Sequence, residues 1–106
     1  MTKIRFPKRV EIGGFPIEVI YPHYFNDNED LIGTFSQADL TVYLTDQYDI
    51  DRQTRIEAFI HEFIHAIDYV YLGGLLSEDM TDSIARGLFQ VLRFNDLDLC
   101  NISFDN

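Results

Sequence analysis

The stretch "DIDRQTRIEAFIHEFIHAIDYVYLGG", residues 49–74, decides how this chain is read. Ile56, Ile60, Phe63, Ile64 and Ile67 recur at helical spacing, which predicts a long helix with a buried stripe. Asp49 or Asp51 can cap its start, and Gly73-Gly74 stops it. Within it, "HEFIH" puts His61 and His65 four residues apart. A helix advances about 100° per residue, so with His61 at 0° His65 stands at about 40° and Glu62 at about 100°. The two imidazoles share a face, one turn apart, and can converge on a single ion. Glu62 stands to the side, unable to join them easily as a ligand but able to reach a water beside the ion.

That geometry suits zinc-assisted hydrolysis. Zinc lowers the pKa of its water towards ~7. A neighbouring carboxylate can take the proton and later pass it to a leaving amine. The His-Glu-x-x-His spacing arises by chance in about half a per cent of chains of this composition. The plain alternative is a pair of surface histidines on an acidic helix. Two histidines hold zinc weakly, and a catalytic centre has three protein ligands with a fourth position open. The third must come from elsewhere. Glu78 and Asp82 lie one turn apart on a second predicted helix, and the short connection around Gly73-Gly74 forces the two helices to pack antiparallel. Either acid can then reach the ion, with Glu78 favoured. Glu78 and Asp79 also suit a helix N-terminus simply by meeting its dipole. Asp68, three residues after His65, is expected to orient a ligand histidine. A ligand role, or an ion pair with Arg52, Arg55 or Arg86, are its alternatives. Glu57 reads as solvated, and no role is expected for His23.

Outward from this centre, the second helix is predicted over about 78–94. Ser77 or Asp79 caps it, and Ile84, Leu88, Val91 and Leu92 form its buried face. Gly87 would let it approach another helix closely. Upstream, "KIRFPKRVEIGGFPIEVIYP" predicts a hairpin with strands at about 3–12 and 15–21 around Gly13-Gly14. A strand at about 39–45 is expected to carry Leu40, Val42 and Leu44 on one face, with a short partner near 34–36. "NDNED", residues 26–30, lacks the central glycine and closing glutamate of a calcium loop. The tail "LDLCNISFDN", residues 97–106, reads as one turn or a short extended piece. Strands followed by helices imply an α+β fold, and 106 residues imply a single domain over 1–106.

Charge excludes several functions. The chain carries −10 overall, yet Lys3, Arg5, Lys8 and Arg9 all lie in its first nine positions. The remainder sets four basic groups against 18 acidic ones, a balance of −14. Such a body repels nucleic acid and anionic membranes. It mainly confers solubility, and an acidic decoy for a basic protein is a minor reading. The basic start is expected to protect an edge strand. No apolar run approaches a membrane span, and no apolar segment follows the basic start as it would in a signal peptide. Cys100 is the only cysteine, which suits a reducing cytoplasm.

The helix "RIEAFIHEFIHAIDYVY" resembles the active helix of gluzincin-type zinc metallopeptidases. The second helix resembles that of ImmA/IrrE-type peptidases, whose Glu-x-x-x-Asn-x-Phe-Ala pattern is matched in register by Glu78, Asp82, Ile84 and Ala85. Asp replaces Asn and Ile replaces Phe. Residues 33–95 are also similar to small phage or prophage proteins labelled as metallopeptidases. The resemblance implies a minimal zincin: a small twisted, mainly antiparallel sheet on an active helix, with a second helix giving Glu78 as third ligand. It also implies that the strand at 39–45 is the edge that holds a peptide substrate by β-augmentation. Tyr69, Tyr43 and Arg86 are the candidate transition-state donors. A non-catalytic, zinc-stabilised binding protein is the alternative. Little of so short a chain is left to wall a substrate cleft, so activity is expected to call on a partner or an oligomer.

Overall fold

Gly13 and Gly14 have φ of 58° and 82°, the pair of positive values that a two-residue hairpin turn demands. They join β1 (Arg9–Ile12) to β2 (Phe15–Ile20), antiparallel, with Ile12 opposite Phe15. A side chain at Gly13 would meet Val70 Cγ1 at 2.6 Å, so the hairpin turn lies directly against the end of the first helix. The computed structural model describes residues 7–22, 32–46 and 51–94. The expected start of the first strand, His23, "NDNED", Asp49 and the tail lie outside these residues.

The sheet continues with β3 (Gly33–Ser36) and β4 (Thr41–Leu44), in the order β1-β2-β4-β3. β4 runs parallel to β2 and antiparallel to β3. The β3–β4 hairpin is thus inserted with its second strand inward. The edge strand beside the helices is therefore β3, and the expectation of an edge at 39–45 is corrected. Local pattern explains the error: alternation marks β4 as a strand but does not say which neighbours it takes. Leu40 also leaves the expected strand, sitting in the turn with φ of 51°.

Two helices complete the α+β fold, α1 (Arg52–Ile67) and α2 (Glu78–Phe94), joined through a π-helical turn (Asp68–Leu72). Asp51 caps α1 by accepting from Thr54 N at 2.9 Å. Ser77 caps α2 by accepting from Met80 N at 3.1 Å. Gly73, at φ 68°, ends the π turn in the left-handed conformation that favours glycine.

The core lies between α1 and the sheet. Ile12, Ile17, Val19, Val42 and Ala66 are buried together, with Phe59 and Phe63 of the first helix and Val70 of the π turn packed against them. Burial of each such aliphatic side chain contributes about 1.5–3 kcal/mol. The predicted stripe on α1 is thus divided. Phe63 meets the sheet, Ile64 is buried, and Ile67 is 44% exposed. The predicted face of α2 is corrected more strongly. Thr81 and Ala85 are buried, whereas Ile84, Leu88 and Val91 are exposed. Among the described residues no helix is long and apolar enough to cross a membrane.

Candidate metal centre

His61 and His65 project from the middle of α1 and meet Glu78 on the first turn of α2. His61 Nε2 lies 2.7 Å from Glu78 Oε1, His65 Nε2 lies 3.1 Å from Glu78 Oε2, and the two Nε2 atoms are 3.0 Å apart. Four ligands held at ~2.0–2.1 Å in a tetrahedron stand about 3.3 Å from one another. The three donors are therefore spaced almost as ligands of one ion. Among the described residues, His61, His65 and Glu78 are the group so placed. Two imidazoles and one carboxylate are also the donor set of a catalytic zinc with an open position.

Ordinary local structure produces the convergence. The i,i+4 spacing stacks the imidazoles, and the antiparallel return of α2 delivers Glu78. The return is organised by Asp68, which is buried. Its carboxylate accepts from Leu75 N at 2.9 Å and Leu76 N at 3.2 Å. Its carbonyl accepts from Gly74 N at 3.2 Å. Asp68 thus secures the loop that carries Glu78, rather than orienting a histidine or pairing with an arginine as the sequence suggested. A sequence-level signal was present, because a carboxylate at a helix C-terminus opposes the macrodipole unless amide donors meet it.

The carboxylate nearest a histidine's second ring nitrogen is instead that of Asp82. Its Oδ1 lies 3.7 Å from His61 Nδ1, and Arg86 holds its other oxygen at 2.9 Å. At that distance Asp82 stands near the ring as a negative charge without hydrogen-bonding it. Asp82 therefore stands behind His61, while Glu78 faces the donors.

Glu62 is buried beside the pair. Burial pushes its carboxyl up from the ordinary glutamate range, against the opposing pull of His61 and His65. Desolvation acts upward on Glu78 too, but the hydrogen bond from His61 and the charges of both histidines outweigh it, leaving that carboxyl below the usual range. Gly33, on the edge strand, is the close neighbour that sequence reasoning did not find. A methyl there would lie 3.1 Å from Glu62 Cγ and 3.2 Å from the Tyr43 carbonyl oxygen.

The centre opens on both sides. One cleft of about 300 Å³ includes Gly33, Phe35, Gln37 and Tyr69, and another of about 400 Å³ includes Ala58, Asp82 and Arg86. Both reach His61, Glu62 and Glu78, so the groove passes between β3 and the helices. Of the candidate donors, Tyr69 lines the first cleft, with its ring 6.1 Å from that of Phe35. Arg86 lines the second. Tyr43 instead donates to Asp39 Oδ2 at 2.8 Å. A larger hollow of about 750 Å³, between the start of α1 and the end of α2, includes Ile56, Phe89 and Leu92 but none of the metal-binding group.

No protein-family model matches the chain, and neither does any curated protein or solved structure.

Proposed function

We propose that this chain is a zinc-dependent peptidase acting on a protein or peptide, with His61, His65 and Glu78 as the metal ligands and Glu62 as the general base. The convergence of three donors beside a buried carboxylate carries this reading. Zinc held there would supply Lewis-acid polarisation of a carbonyl and a water acidified towards neutrality. Glu62 accepts the proton of the attacking water and returns it to the amine nitrogen as the C–N bond breaks. β3, whose Gly33 and Phe35 line the groove, offers its outer edge to an extended substrate. Tyr69, which lines the cleft on the β3 side, is the hydrogen-bond donor assigned to the developing oxyanion. The single cysteine and the acidic balance fit a cytoplasmic setting, away from nucleic acid and membrane.

A non-catalytic zinc staple is the competing reading, since the same ligands tie α1 to α2. It leaves the buried Glu62 without a task. Glu62→Gln separates the two. The peptidase reading expects the variant to bind one zinc per chain and to lose cleavage of a peptide library that the parent cuts. Unchanged cleavage would refute the role of Glu62, and a parent that takes up zinc but cuts nothing would favour the staple.

A further inference from the structure

α2 is divided by charge. At about 100° per residue, with Thr81 at 0°, Glu78, Asp79, Asp82, Arg86 and Arg93 all fall between about 60° and 160°. Met80, Ile84 and Leu88 fall between about −20° and −100°. The first helix covers only the arc between, where Thr81 and Ala85 are buried. Met80 remains 55% exposed, Ile84 46% and Leu88 43%. Ile67 at the end of α1 and Tyr71 in the π turn, 44% and 66% exposed, add apolar surface at helical phases turned away from the histidines.

Gly87 lies beside the same stripe, at about −120°. A glycine in a helix interior costs about 1 kcal/mol relative to alanine. Among the described residues nothing offsets that cost, because a Cβ at Gly87 would meet no atom within 4 Å. The missing side chain leaves room for a second helix at the centre of an uncharged face.

From these observations we infer that the flank of α2 bearing Met80, Ile84, Gly87 and Leu88 is a homodimer interface, in which two copies cross antiparallel at Gly87. Area supports this. At the stated exposures the five apolar side chains leave on the order of 550 Å² bare, about two-thirds of the ~800 Å² that each partner gives to a standard interface. Patches of this size mark interaction sites. Charge selects the occupant. Two chains of net −10 meet with least repulsion where no carboxylate stands, and among the described residues of α2 this flank has none. A basic partner would look for acidic groups at the rim, and those of α2 lie on its other side. A two-fold axis at Gly87 makes the contact self-complementary, sets the two helix dipoles antiparallel, and leaves both metal grooves open.

Sedimentation equilibrium of the full chain over about 1–100 µM tests the inference in the concentration range of ordinary dimers. The expected result is the mass of two chains, reduced to one by Leu88→Asp. Gly87→Arg is the second variant. Its side chain enters open space in a single copy and replaces a poor helix former, so the fold is retained and only the crossing is blocked. It should be monomeric, with unchanged helical circular dichroism and the same zinc stoichiometry as the parent. A parent that is monomeric throughout, or a Gly87→Arg dimer as tight as the parent, would overturn the interface. So would a monomer destabilised by Leu88→Asp, which would assign the flank to contacts within one chain. The masses are read with or without zinc, so failure here is distinct from failure of the peptidase reading.

Discussion

His61 and His65 stand on a helix gripped by the sheet and by α2, with side chains 16% and 25% exposed, whereas 71% of the Glu78 side chain meets solvent on the first turn of α2. The two imidazoles are set by a packed core, since Phe59, Phe63 and Ala66 of the same helix meet the sheet. Glu78 is set by a loop, and the loop by the amides that Asp68 collects. One half of the centre is therefore preformed by burial, while the other depends on a few hydrogen bonds. Differences between variants should follow that division.

The largest expected effects are at the donors. His61→Ala or His65→Ala should abolish zinc uptake at micromolar metal, measured by titration calorimetry, while the helical circular dichroism is retained. Glu78→Ala should also weaken binding severely, yet leave the imidazole pair intact to give residual affinity. If Glu78→Ala were harmless while Asp82→Ala abolished binding, the third ligand would have to be reassigned. Asp82→Ala removes only a charge 3.7 Å from His61 Nδ1 and should weaken binding much less than Glu78→Ala.

Asp68→Ala comes next. It strips the acceptor from the Leu75 and Leu76 amides, and an unmet buried group costs about 1–3 kcal/mol. Urea unfolding of the metal-free chain should show that loss. Zinc affinity should fall with it, although every ligand is intact, because Glu78 is no longer held. Unaltered zinc affinity in a destabilised Asp68→Ala would separate the loop from the centre.

The smallest effect is expected at the start of α1. The side-chain hydrogen bond from Thr54 and then its amide hold Asp51 below the usual aspartate range. The folded chain therefore favours the ionised carboxylate. That contribution is fully present above the unfolded pKa and is lost as pH falls through the lower folded value. Asp51→Ala should lower the thermal midpoint slightly at neutral pH, with the difference fading in acid. The zinc affinity should not move, since the cap acts on the end of α1 remote from Glu78.

Much of this was legible in the chain because it rests on local periodicity. The stacking of His61 on His65, the displaced position of Glu62, the hairpin at Gly13-Gly14 and the return of α2 with Glu78 all follow from spacing and turn chemistry. The α+β class follows from the order of strands and helices. What escaped depends on which surfaces meet. Alternation identified β4 but not its place between β2 and β3, so the edge was assigned one strand too far in. Periodicity outlined an apolar arc on α2, but not that α1 covers only the part holding Thr81 and Ala85. The phase of Asp68 matches that of the histidines, and it lines the same cleft, but spacing alone does not give its partners. The π turn instead brings two downstream amides to its carboxylate. Gly33 and Glu62 are far apart in sequence, and only the register of β3 on α1 brings them together.

Zinc K-edge absorption on the loaded parent and on Glu78→Ala is the most direct test of a centre assembled from both helices. The expected spectrum has two imidazoles and a carboxylate at about 2.0–2.1 Å, with the carboxylate contribution replaced in the variant. An identical spectrum in both proteins, or a parent with fewer than two imidazoles on zinc, would contradict it.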